Sequence, residues 1–363
     1  MEVSVILPAL NEEDSIGNTI REIKQTLSKH KISFEIIVVD SDSKDKTAII
    51  ASKEGAKVLN EPQRGYGNAL RKGFEDAKGK YVIMYDPDGS YDVQTLPLMI
   101  ETLKNGYDYV NANRFAKLAH GSMSRSHYVG NAIINLMGNI FFRIWFKDML
   151  SGYKGFRADA LKKLNLHSQK WDFNVEVHSK LRKSHLKFKE INTRYFPRLG
   201  KSKLSGANAA WSNFRFMLMY SPNFVFVYPS IALMLTSLLA IAYILTSSTL
   251  GNVSLIASTV VFIIGFQLFL FGIMLKTILL KKDFEEKNLL SELGLKLNLG
   301  KGILIGLALF AVSFAIFLLI FIKWLKLRQL SSTDIKFSIL GFVILMMSLS
   351  IVTYGFVNET ISE

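Results

Sequence analysis

Short apolar runs alternate with amphipathic stretches over the first ~110 residues. Residues 3–7, 35–39, 57–59, 81–85 and 109–113 are rich in β-branched and aromatic side chains and bounded by turn formers. Each predicts a buried strand. Residues 13–29 place Ile16, Ile20, Ile23 and Leu27 on one helical face, and 45–54, 67–77 and 96–104 read as further helices. This alternation predicts an α/β fold with a mostly parallel sheet covered on both faces. Beyond it come a loop and helix over 115–150, a strand at 154–156, a helix at 173–184 and a strand at 190–195.

The pattern then changes. No Asp, Glu, Lys or Arg occurs from Phe216 to Leu275. A membrane-spanning helix needs roughly 20 apolar residues, so this run fits two. Spans are predicted at about 225–247, 253–280, 302–322 and 337–358, with the first tight turn at 249–252. The domain reading is 1–206 for the α/β part, 207–222 for an interfacial amphipathic helix, and 223–363 for the transmembrane part. The middle segment carries Trp211, Phe214, Phe216, Met217 and Tyr220 beside basic residues, the mix of a helix lying in a membrane interface.

Charge sharpens this picture. The net charge is +14, and residues 161–222 hold 13 Lys and Arg against three acids. Such a stretch abutting an anchor predicts attraction to anionic headgroups rather than to nucleic acid. Residues 1–8 enter a strand with no basic leader, which predicts no signal peptide. The expectation is a multi-pass protein of the cell membrane whose first domain faces the cytoplasm. The linker with Lys281, Lys282, Lys287, Lys296 and Lys301 suits the same side. The one with Lys323, Lys326, Arg328 and Lys336 falls outside by strict alternation, against that rule. The absence of Cys fits a reducing compartment and excludes disulfides and thiolate metal sites.

Two acidic pairs end apolar runs: Asp40 and Asp42, then Asp86 and Asp88. In open α/β sheets, ligands collect at the carboxyl ends of strands. Carboxylates spaced i, i+2 at that edge can grip a ribose and a divalent cation. For a single pair, caps and turns would suffice as an explanation. Two pairs on successive α/β units favour a site for a nucleotide-sugar.

Several motifs together resemble a family 2 glycosyltransferase of the GT-A fold. They are Pro8-Ala9-Leu10-Asn11-Glu12-Glu13, Val38-Val39-Asp40-Ser41-Asp42-Ser43, and Asp86-Pro87-Asp88-Gly89. Later stretches narrow the likeness to polyprenyl-phosphate glycosyltransferases, the dolichyl-phosphate mannose and glucose synthases and the archaeal dolichyl-phosphate sugar transferases of N-glycosylation. These are Asn111–Phe115, Met123-Ser124-Arg125, Asp148–Tyr153 and Arg198–Leu204.

The resemblance implies donor contacts at Pro8, Asn11, Glu12, Asp40, Asp42, Gly67 and Asp86. It implies a metal, Mg²⁺ or Mn²⁺, at Asp88, and a reacting centre formed by Asp86, Asp88, Arg114 and Ser151. Arg125, Arg198, Lys201 and Lys203, like Arg114, are candidate clamps for an acceptor phosphate, since Arg binds phosphate bidentately. Ser90 stands where the mannose synthases often carry a metal-contacting Gln. Glu176 matches a recurrent acidic position on a helix.

The implied reaction is inverting transfer of a hexose, glucose or N-acetylglucosamine from a UDP-sugar, to dolichyl or other polyprenyl phosphate. Alternatives are a GDP-mannose-dependent synthase and an inactive nucleotide-sugar-binding membrane protein. A processive polysaccharide synthase is disfavoured, because no Gln-x-x-Arg-Trp is present.

Overall fold

A computed structural model of the chain describes residues 1–181, 184–200, 206–246, 251–282, 284 and 287–360. Lys201 and Lys203, and residues 249–250 of the predicted turn, lie outside them. The chain divides into two compact units, Met1–Met219 and Tyr220–Glu363.

The first unit runs β1 (Val3–Ala9), α1 (Ile16–Lys29), β2 (Phe34–Asp40), α2 (Thr47–Lys53), β3 (Lys57–Asn60), α3 (Tyr66–Asp76), β4 (Tyr81–Met84) and α4 (Leu96–Lys104). It continues with β5 (Tyr109–Leu118), α5 (Arg125–Phe142), β6 (Lys154–Arg157), α6 (Ala158–Leu164), α7 (Phe173–Leu181), β7 (Phe188–Tyr195) and α8 (Gly206–Met219). The predicted strands and helices are present, with ends shifted by a few residues. Helix α6 has no counterpart in the sequence reading.

The seven strands lie in the order β3-β2-β1-β4-β6-β5-β7. All pairings are parallel except those of β6, which runs antiparallel to β4 and β5. The carboxyl ends of six strands and the start of β6 therefore share one edge. This is a GT-A-like mixed sheet. Strands β1, β2 and β4 are short and largely apolar because both faces are covered. Val3, Val5 and Leu7 of β1 pack with Ile16, Ile20, Ile23 and Leu27 of α1 in one buried cluster. On the other face α3 lies so close that a Cβ on Gly73 would sit 2.3 Å from Ile6 Cγ2.

The second unit holds α9 (Tyr228–Thr246), entered through a π turn at Asn223–Val227, then α10 (Asn252–Lys281), α11 (Leu289–Lys296), α12 (Leu299–Leu327) and α13 (Ser332–Thr360). Four stretches are long and apolar enough to cross a membrane: Asn223–Thr246, Asn252–Lys281, Leu299–Leu327 and Ser332–Thr360. Each contains or closely overlaps a predicted span. Helices α12 and α13 meet through small residues, as membrane helices do in the absence of a hydrophobic drive between them. A Cβ on Gly302 would lie 3.2 Å from the Cα of Gly355. Ser313 Oγ donates to the Gly341 carbonyl at 2.8 Å, and Ser348 Oγ to that of Gly306 at 2.7 Å. Lys276 Nζ donates to Asn223 Oδ1 at 2.8 Å, and Asn358 Nδ2 to the Gly294 carbonyl at 3.0 Å. The start of the first long helix, the linker before α12 and the end of α13 thus share one end of this unit. Lys336 Nζ reaches the Ile244 carbonyl at the other. The four helices alternate in direction.

Candidate active site

The loops after β1 and β2 are bound to one another. Asn11, in the left-handed region at φ 51°, donates its N–H to Ser43 Oγ at 2.8 Å and accepts from Lys44 N at 2.7 Å. Glu12 is buried, and its N–H donates to Thr47 Oγ1 at 2.7 Å. Pro8, half-buried, pairs across the sheet with Val39. Asp40 closes β2 opposite Ala9. Its Oδ2 accepts from Ser43 N at 3.2 Å, while its buried Oδ1 has no hydrogen-bond partner. An unpartnered buried carboxylate oxygen is costly and stands ready for a donor. Asp42 differs. It is exposed, at φ 61°, and pairs with Arg64 at 3.1 Å.

The second pair follows β4. Asp86 Oδ1 accepts from Tyr66 O–H at 2.8 Å. Tyr66 itself stacks on Trp171, with ring centroids 4.5 Å apart. Asp86 also rests on Gly152, where a Cβ would stand 1.9 Å from its Oδ2. The crowding of protein around this carboxyl, then the neighbouring Asp88 charge, push its pKa up to about 7, against the pull of Tyr66, Arg114 and Arg198. Asp88 is buried. Its Oδ1 accepts from Ser90 N at 3.0 Å and Ser90 Oγ at 2.5 Å, and its Oδ2 pairs with Arg198 at 2.8 Å. Ser90 therefore caps Asp88 through both its groups. The loop after β7 is zipped to this turn, since Phe196 N donates to the Ser90 carbonyl and Leu199 N to that of Asp88.

The basic candidates separate. Arg114 sends its backbone N–H, Nε and Nη2 to buried Asp148 at 2.9, 2.7 and 2.8 Å. A phosphate clamp at Arg114 would need a charge that Asp148 already balances, so this arginine braces the loop before β6. Glu190 holds the same loop by accepting from Lys147 N and Asp148 N, both at 3.0 Å. Arg198 touches Asp88 directly. Arg125 is exposed in the first turn of α5.

Ser151 is fully buried. Its Oγ accepts from Tyr153 N at 3.2 Å, and it lies 3.4 Å from Tyr91 O–H. That places it in the turn under the site, beside Gly152. The amine of Lys154 donates to the carbonyls of Ser151 and Met149. Burial lowers its pKa to about 7.

Gly65 and Gly67, the second expected among the donor contacts, instead admit the 168–169 backbone. Cβ atoms there would lie 2.2 Å from the Gln169 carbonyl and 2.1 Å from that of Ser168. Glu176 is buried and fixes that segment, accepting from His167 N at 2.8 Å and Ser168 N at 2.7 Å. Its work is two contacts removed from Asp86: it seats the segment on which α3 begins, and Tyr66 reaches out from there. The sequence reading missed Tyr66, Asp148, Lys154 and Glu190. Asp148 lay inside a quoted motif, and the missing signal for each was its pairing partner.

Residues 4–165 match the model of glycosyl transferase family 2. The low-salt glycan biosynthesis hexosyltransferase Agl6 of Haloferax volcanii is 32% identical over 74% of this chain and 67% of its own length. The glycosyltransferase AglJ of the same organism is 32% identical over 54% of this chain and 63% of its own. Its dolichyl-phosphate hexose transferase is 27% identical over 50% and 75%. The chain belongs to glycosyl transferase family 2, and it is a glycosyltransferase.

Proposed function

We propose that the chain transfers a hexose from a UDP-sugar to dolichyl or another polyprenyl phosphate. The observation that carries this reading is the carboxylate edge itself. Asp40 offers an unpartnered buried oxygen to a base, and Asp86 and Asp88 stand side by side with Arg198 against them. The dolichyl-phosphate hexose transferase relative supports the acceptor.

Asp40 and the Asn11–Glu12 turn hold the nucleoside, and Asp86 the ribose or sugar. The two carboxylates fit a hard divalent cation. No set of three or more His, Cys, Asp or Glu that could hold a metal occurs among the described residues, so phosphate and water oxygens complete its shell. Asp88 would hold Mg²⁺ or Mn²⁺, which supplies charge stabilisation to the leaving diphosphate. An acceptor phosphate oxygen attacks the anomeric carbon, the bond to the diphosphate breaks, and configuration inverts. A phosphate monoester is mostly ionised at neutral pH, its second pKa being about 6, so no strong base is needed. A cation at Asp88 would displace Arg198 from Oδ2, and the freed guanidinium, together with Arg125, Lys201 and Lys203, meets the acceptor dianion.

The test is incubation of the purified full-length protein and dolichyl phosphate with each labelled nucleotide-sugar in turn. Label transfer from a UDP-hexose supports the reading. Transfer from GDP-mannose alone would make it a mannose synthase, and binding without transfer from any donor would make it an inactive binding protein. The first unit and the linker before α12 are proposed to face the cytoplasm. Lys287→Cys should then be labelled only from that side.

A further inference from the structure

Helix α5 is built inside out for a helix in water. Its inward face carries Asn135, Gly138 and Asn139 with Ile134 and Phe142. Asn135 donates to the Lys147 carbonyl at 2.7 Å and accepts from Met149 N at 2.9 Å. Asn139 donates to the Phe146 carbonyl at 2.8 Å and accepts from Phe146 N at 2.9 Å. These amides are spent on tying down the loop after the helix. The outward face holds Val129, Ile133, Leu136 and Ile140, spaced to form one stripe and 42–56% exposed. Trp145, just past the helix, is 72% exposed. A helix facing water turns such residues inward, and a continuous exposed apolar stripe marks a contact surface.

The rim of the stripe says what it contacts. No Asp or Glu occurs between Asp108 and Asp148, while Lys117, Arg125, Arg143 and Lys147 are all exposed. Aliphatic stripe, basic rim and edge tryptophan are the parts of a helix lying in an anionic membrane interface. The neighbouring helix leads the same way. Met217 of α8 lies against the Gly138 face of α5, where a Cβ would be 3.1 Å from its Cε, and Trp211 is 62% exposed. A helix long and apolar enough to cross a membrane begins at Asn223, four residues after Met219.

We propose that the outward face of α5 beds into the surface of an anionic bilayer, making the first unit a membrane-docked domain through its own residues and not only through its tether. This does not depend on which sugar or acceptor the enzyme uses. The chain has no native cysteine, so single sites can be labelled cleanly. Spin labels at Ile133→Cys, Leu136→Cys and Ile140→Cys are compared with Ile49→Cys, an exposed apolar position on α2, in full-length protein in anionic-lipid nanodiscs. Collision with oxygen should exceed collision with a water-soluble nickel chelate several-fold at the three α5 sites, with the reverse at Ile49, and zwitterionic lipid should shrink the difference. Labels on α5 that behave like the one at Ile49 would overturn the proposal. So would labels shielded from both reagents, which would assign the stripe to a protein partner.

Discussion

Gly152→Ala should silence the enzyme while leaving its fold standing. The new methyl would lie 1.9 Å from Asp86 Oδ2, 2.4 Å from Cγ and 2.8 Å from Oδ1. Ordinary carbon contacts begin near 3.4 Å, so the carboxyl must retreat by roughly 1.5 Å. Gly152 is not among the residues at positive φ, so alanine adds no backbone strain there. The whole perturbation therefore falls on Asp86. Its 2.8 Å bond from Tyr66 breaks, a bond to a charged group worth about 1.5–3 kcal/mol. A displacement of about 1 Å near the reacting atoms costs about 10²-fold in rate. We expect kcat/KM for glycosyl transfer to fall about 10²-fold, with thermal unfolding lowered only modestly. A cycle with Asp86→Ala separates cause from accident, since the stability cost of Gly152→Ala should vanish once the carboxyl is gone. Turnover within about two-fold of wild type would refute the placement of Asp86 at the reacting centre.

Asp88→Asn should abolish turnover in the presence of excess Mg²⁺ or Mn²⁺ with the secondary structure unchanged. Activity near wild type would remove Asp88 from the metal. Lys154 has a folded pKa of about 7, below its ordinary 10.5, so between those values the unfolded chain binds more protons and stability rises with pH. The ceiling is roughly 5 kcal/mol. Unfolding temperature should climb from pH 7 to pH 9, and Lys154→Met should flatten that climb; a profile unchanged by the substitution would show the lysine has no part in it. In the second unit, a Cβ on Gly306 would come within 2.3 Å of Val352 Cγ2. Gly306→Val should therefore loosen the α12–α13 pair by about 1–3 kcal/mol, read as a lowered unfolding temperature in detergent.

The middle of the sheet was legible because β1, β2 and β4 are apolar runs, and the acid pairs because they end such runs. Asp40, Asp86 and Asp88 emerge at one edge for that reason alone. Their partners were not legible. Arg114 reads as a phosphate ligand until Asp148, brought beside it by the antiparallel pairing of β5 with β6, takes up its guanidinium. Gly67 reads as a donor contact because a linear pattern cannot reveal that the Ser168–Gln169 backbone fills the space beside it. The spans were legible by length and composition. The helix at 125–142 was expected, but which of its faces points outward depends on where the loop 144–149 folds back.

The antiparallel course of β6 has a consequence for redesign. Six strands deliver side chains to the edge as they leave the sheet, where a loop can be lengthened with little effect on what precedes it. β6 delivers Ser151 and Gly152 as it enters, with Asp148 held by Arg114 and Glu190 just upstream. Residues 147–154 are thus pinned at both ends and cannot be lengthened without uncoupling Gly152 from Asp86. The stretch entering β6 would have to travel as a single cassette with Arg114 and Glu190.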